Sequence, residues 1–233
     1  PTDNPSEVDI KVKVKDKNTG SISLGAGYST SDSVFFGGSV EEKNLFGKGY
    51  HAKFQGMFSG KSSRGVLSFT NPRVYDSNLS VGTDIYQVYR AYDDFKKSTS
   101  GAKLRFAYPL GEYTVLSWDY RLDHYHIYHT NWNASSVIQQ SAGWHWASSV
   151  FVQVDRDTID SATKPTKGTK NTLSLEYAGG VVGGDDAFVK PMFTSNFFYP
   201  LPLDLVFHWR GQAGVLLPNS GGDIPVYERF YLG

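Results

Sequence analysis

From Ser21 to Val215 the chain alternates apolar and polar residues in short segments, each closed by a Gly, Pro, Asn or Asp turn. The clearest segment runs from Leu203 to Val215. Its odd positions are Leu203, Leu205, Phe207, Trp209, Gly211, Ala213 and Val215. Its even positions are Asp204, Val206, His208, Arg210, Gln212 and Gly214. A period of two puts alternate side chains on opposite faces of a strand. One face here is apolar and aromatic, and the other carries charge. A soluble sandwich buries such an apolar face against a second sheet, whereas a membrane barrel turns it to lipid.

The pattern predicts eleven strands, with cores at Ser21–Ser29, Ser33–Glu41, Tyr50–Ser59, Gly65–Thr70, Leu79–Tyr89 and Ala102–Tyr108, then Thr114–Asp123, Ser149–Asp155, Thr172–Ala178, Val189–Tyr199 and Leu203–Val215. The predicted outward faces include Ile22, Leu24, Ala26 and Tyr28 in the first strand, then Phe106, Trp118 and Leu175. The inward faces carry Ser21, Ser23, Gly25 and Gly27, then Arg105, Arg121, Glu176 and Arg210, which predicts a polar lumen. Compact turns at 44–49, 109–111 and 200–202 alternate with longer connections at 90–101, 124–148 and 216–233, as in outer-membrane barrels. Eleven up-and-down strands leave the first and last parallel, while single-chain bacterial barrels close with even counts, so further strands are expected beyond this sequence. Upstream, Val8–Lys15 alternates with one strongly charged face and reads as the end of a preceding soluble domain.

Composition agrees with a barrel. Aromatics reach 15 %, Gly numbers 24, and 23 basic residues balance 23 acidic ones, so nothing points to nucleic acid. The absence of Cys excludes a disulfide scaffold and thiolate chemistry. A transmembrane helix would need roughly 18 consecutive apolar residues, and no such run exists.

Candidate chemistry is sparse. His124 and His126 would share a strand face, and paired imidazoles can bind zinc or copper, but a structural site wants more ligands than this segment offers. No Gly-x-Ser-x-Gly elbow accompanies the Ser, His and Asp residues, and neither catalysis nor a cofactor is expected. Gly179–Gly184 lacks a following P-loop lysine and reads as a flexible loop.

Ordered motifs add a family resemblance. Asn18-Thr19-Gly20-Ser21, Gly25-Ala26-Gly27-Tyr28 and Asn44-Leu45-Phe46-Gly47-Lys48-Gly49-Tyr50 resemble the first hairpin of the BamA family of outer-membrane protein insertases. Ser68–Pro72, Asp155–Asp157 with Pro165–Gly168, and Pro225-Val226-Tyr227-Glu228-Arg229-Phe230-Tyr231-Leu232-Gly233 are similar to later motifs in the same order. The resemblance implies an all-β, antiparallel up-and-down transmembrane β-barrel of sixteen strands, of which this chain holds about eleven, stopping in the sixth extracellular loop. Residues 1–17 would end the last periplasmic POTRA domain and 18–233 would begin the barrel in the bacterial outer membrane. Ser21–Tyr28 would be a lateral-gate strand, and Pro225, Tyr227, Glu228, Phe230, Tyr231 and Gly233 would open the sixth loop. Implied partners are unfolded outer-membrane protein clients, accessory assembly lipoproteins, and outer-membrane lipid with lipopolysaccharide. A two-partner-secretion transporter or porin-type barrel, moving substrate through its lumen, is the alternative. The Thr158–Lys164 stretch makes the turn between strands eight and nine longer than the family pattern.

Overall fold

Alternation of this length yields an antiparallel meander. The computed structural model describes residues 17–30, 33–219 and 224–230. Its strands are β1 (Gly20–Ser29), β2 (Ser33–Leu45), β3 (Tyr50–Ser59), β4 (Ser62–Asn71), β5 (Ser80–Ala91) and β6 (Lys96–Gly111). They continue as β7 (Thr114–Tyr128), β8 (Gly143–Asp157), β9 (Gly168–Ala178), β10 (Phe188–Pro200) and β11 (Val206–Gly214). Each pairs antiparallel with its chain neighbours in a single sheet. A short β12 (Leu217–Pro218) pairs with β10 where β11 has ended. Among the described residues β1 and β11 have a partner on one side only, so the sheet is open. The expected strand Val8–Lys15 lies outside the described residues, as do Tyr231 and Gly233.

The faces decide between sandwich and barrel wall. No second sheet covers the apolar face among the described residues: Ile22 is 74 % exposed and Leu24 87 %. A contiguous apolar face of this extent is far larger than a monomer in water leaves bare. The opposite face carries the charges, and the register places Lys103 beside Arg121 and Arg105 beside Asp119. Side-chain packing concentrates at one end of this inner face, where Phe95, Tyr125, Ile127 and Ala147 meet Ile138 and Tyr227.

Four expectations are corrected. The connection predicted over 124–148 shrinks to 129–142, because His124–Ile127 pair with Gly143–Trp146. Leu203 and Asp204 do not extend the last strand: both have positive φ, at 65° and 57°, and sit in a turn that Leu201 N closes on Leu205 O at 2.8 Å. Pro200 and Pro202 lack the N–H groups that a ladder would need there. The connection predicted over 90–101 shrinks to 92–95, because Lys96–Ser100 pair with Gln87–Ala91. Those residues carry polar side chains on both faces, which obscures the period of two beyond the apolar band. Gly179–Gly184 is fastened rather than loose: Gly184 bridges Ala147, and Asp185 N donates to Trp146 O at 2.6 Å.

The long turn between β8 and β9 has its own order. The Asp160 carboxylate accepts from Thr166 N at 2.9 Å, from Lys167 N at 3.2 Å and from the Thr166 hydroxyl. These donors hold its pKa down at about 2, below the ordinary 3.8.

Candidate functional site

The first strand is half satisfied. Gly20 to Ser29 pair with Ser33 to Glu42 of β2, and the other edge of β1 faces no strand among the described residues. Alternate N–H and C=O groups of that edge point away from the sheet, which makes a template for one more strand. Its side chains offer little to hold the edge closed. Ser21, Ser23 and Gly25 are exposed on one face, and Ile22, Leu24, Ala26 and Tyr28 on the other. The two glycines differ. A Cβ on Gly27 would lie 2.5 Å from the Phe35 ring, so this glycine lets a neighbour close in; a Cβ on Gly25 would meet nothing within 4 Å.

The predicted lumen residues mostly meet. Arg105 Nη2 donates to Asp84 Oδ1 at 2.9 Å and to Thr70 Oγ1 at 3.2 Å. Its Nε lies 2.8 Å from Asp84 Oδ2 but off the axis of a hydrogen bond. Arg121 Nη2 reaches Glu176 Oε1 at 2.5 Å, with Asp123 3.6 Å from its Nε. Asp123 also accepts from the Tyr86 hydroxyl. Lys103 and Asp119 add a pair at 3.5 Å. Arg210 shares the inner face through its register with Asn196, but it stands apart from this lattice at the far end of the sheet. Opposite charges thus interleave and pair across neighbouring strands of the inner face.

The segment 224–230 turns back onto the inner face. Glu228 N donates to Pro225 O at 3.1 Å, forming a 3-10 turn. The Tyr227 hydroxyl then donates to Asp186 Oδ2 at 2.6 Å, while Tyr125 donates to Asp186 Oδ1 at the same distance. Lys97 Nζ sits 3.0 Å from the centre of the Tyr227 ring. Glu228 pairs with Lys190 at 3.0 Å, and the Phe230 ring lies 5.3 Å from the same ammonium. Asp186 is only 7 % exposed. Burial raises its pKa against the pull of the two hydroxyls and Lys97, and burial beside this carboxylate pushes the Tyr227 phenol far up. Sequence reading passed over Asp186. The one available signal was an acidic pair directly after the Gly-rich loop.

His124 and His126 do not converge on a metal-like centre. His126 stacks on Trp144 with ring centroids 4.3 Å apart, and His124 stacks on the same indole at 4.7 Å and lies tilted against Trp146 at 4.4 Å. No group of three or more His, Asp or Glu among the described residues is placed to hold a metal ion.

Comparison with known proteins places this architecture. Residues 44–233 match the Omp85 superfamily domain. The chain is 46 % identical over 233 residues to the outer membrane protein assembly factor BamA of Nitratidesulfovibrio vulgaris, covering 100 % of this chain and 30 % of that protein. It is 27 % identical over 256 residues to the BamA of Neisseria meningitidis serogroup B, covering 98 % of this chain and 31 % of that one. The crystal structure of BamA from Haemophilus ducreyi lacking POTRA domains 1–3 shares the fold, with a TM-score of 0.83 at 18 % identity over 94 % of this chain and 45 % of that one. The chain thus spans about 30 % of the length of the curated relatives.

Proposed function

The chain belongs to the Omp85 superfamily, and we propose that it forms the N-terminal part of an outer-membrane barrel that assembles other outer-membrane proteins without catalysing a reaction. Residues 1–17 would close the last periplasmic POTRA domain. Its clients would be unfolded outer-membrane proteins, with accessory lipoproteins delivering them and lipid with lipopolysaccharide surrounding the wall. The physical problem is the client backbone. Each unpaired peptide group in hydrocarbon costs several kcal/mol, so a strand enters lipid only if its hydrogen bonds are made on the way in.

The observation that carries this reading is the sparse side-chain packing of β1, ten residues long, which would hold any strand across its outer edge only weakly. A client strand can add to such an edge by β-augmentation, exchanging water for backbone bonds one pair at a time. Ser21, Ser23, Gly25 and Gly27 place little apolar surface on their face of that edge, so separating it from a resident partner strand costs little.

The experiment is a seam lock in the full-length protein. A disulfide between a cysteine placed in Ser21–Tyr28 and one in the final strand should stop client insertion, and reduction should restore it. A secretion transporter or porin, whose traffic uses the lumen, would tolerate the lock. Full insertion activity with a complete disulfide moves the function to the lumen.

A further inference from the structure

The outward face of β4 to β8 is unevenly filled. Register sets Gly65, Gln87, Ser100, His124 and Trp146 in one cross-strand row, and Leu67, Ile85, Ala102, Leu122 and Ser148 in the next. The first row is low at Gly65 and again at Ser100, on either side of Gln87, and the second is low at Ala102. A Cβ built on Gly65 would meet nothing within 4 Å, and Ser100 and Ala102 continue the low ground. The result is a hollow of about 680 Å³, walled by Phe54, Leu67 and Ile85 on one side and by Leu122, His124 and Trp146 on the other. That volume is within the roughly 300–1,000 Å³ typical of small-molecule sites.

The hollow has two chemistries along its length. Ile85, Ala102 and Leu122 make an apolar half. At the other half the Gln87 amide donates to Ser98 Oγ at 3.0 Å and accepts from Ser100 Oγ. Beside them stand the stacked plates of His124, His126, Trp144 and Trp146, with the indoles 64 % and 51 % exposed. The change falls at the edge of the lipid band. From Leu116 to His126 along β7, a rise of ~3.4 Å per residue at a tilt near 40° gives about 26 Å, close to the height of an outer-membrane apolar belt. The hollow is therefore continuous with the lipid-facing surface below and open to the head-group layer above. No Asp, Glu, Lys or Arg lines it. An ammonium or phosphate head would find no counter-charge there, whereas a sugar offers hydroxyls to Gln87, Ser98 and Ser100 and a flat C–H face to the aromatic plates.

We propose that this hollow is a binding site for one acylated sugar of the membrane. An acyl chain lies over Ala102 between Ile85 and Leu122, and the sugar ring stacks on Trp146 and His124 with its hydroxyls on the Gln87 trio. The site goes beyond the insertion reading and rests only on the outward face of the sheet meeting lipid.

The test uses the full-length protein in nanodiscs of phosphatidylethanolamine and phosphatidylglycerol, doped with a photoreactive monoglucosyl diacylglycerol. Labelling should map to the peptides carrying Gln87–Ala102 and Leu122–Trp146, and photoreactive phosphatidylethanolamine should label them far less. Gly65→Leu fills the low ground beside Gln87, its Cβ entering open space, and should lower labelling about tenfold, equivalent to about 1.4 kcal/mol. Gln87→Leu keeps the floor but removes the polar centre, and should abolish the preference for the sugar head. Should Gly65→Leu fail the heat-modifiability check for folding, Gln87→Leu decides alone. Equal labelling by the two lipids, or unchanged labelling in the folded variants, overturns the site. Client insertion measured on the same samples reports separately on the proposed function, which survives either result.

Discussion

Asp186 shows how one carboxylate can anchor a loop. Its two oxygens receive the hydroxyls of Tyr125 and Tyr227, the second reaching it from the segment 224–230. Tyr227→Phe leaves a buried acceptor one donor short, which typically costs about 1–3 kcal/mol. The expected result is faster proteolysis within residues 224–230 with the strands intact. The raised pKa sets the sign of a pH effect. Between the ordinary value of 3.8 and the higher folded value, the native state holds more protons than the unfolded state, so stability falls as pH rises through that window. Asp186→Asn should remove this slope, seen as the difference between the two proteins' unfolding midpoints across pH. Asp160 behaves oppositely. With its pKa held at about 2, its support for the β8–β9 turn is complete above 3.8 and is lost as pH falls toward 2. Thr166→Val removes the hydroxyl donor and should move the Asp160 midpoint part of the way back to 3.8 in a carboxylate NMR titration.

At the scale of the element, β1 carries two unlike glycines. Gly25→Ala should be neutral, since its side chain enters open space. Gly27→Ala must push the Phe35 ring aside and should cost about 1 kcal/mol, at the low end for overpacking. Denaturant midpoints of the full-length variants give the comparison, and equal shifts would show that Phe35 does not rest on β1. The strands β6 and β7 make a second point. Their pairing runs on to Lys96 and Tyr128, past the apolar band. The hairpin thus carries the inner-face cluster of Phe95, Tyr125 and Ile127 to the height at which Tyr227 packs.

The whole molecule is a wall with two environments. Leu24, Phe106, Trp118, Leu175 and Phe207 lie on one face, and Arg105, Arg121, Glu176 and Arg210 on the other. Spin labels at the first set in the reconstituted full-length protein should be quenched by a lipid-soluble reagent, and those at the second by a water-soluble one. A charge placed at the midplane of the first face should cost roughly 2–4 kcal/mol. Equal accessibility of the two sets would remove the membrane reading of this sheet and the acylated-sugar site along with it.

Alternation by itself determined the strand series, the order of the meander and the assignment of Arg105, Arg121 and Glu176 to one face, because side-chain direction in a strand depends only on parity. Turn residues such as Asn44 and Gly49 marked where strands stop, since their groups close the turn locally: Gly49 N donates to Asn44 Oδ1 at 2.7 Å. Strand ends were illegible wherever polarity on both faces erased the period, as at Lys96–Ser100, or where prolines broke an otherwise regular run before Val206. Partners distant in sequence were decided by tertiary structure alone. Tyr125, Asp186 and Tyr227 carry no shared motif, and 61 residues separate the first pair and 41 the second. The outward hollow depends in the same way on adjacent strands bringing Gly65, Gln87, Ser100 and Ala102 to one patch of the outer face, a coincidence of register that no single segment contains.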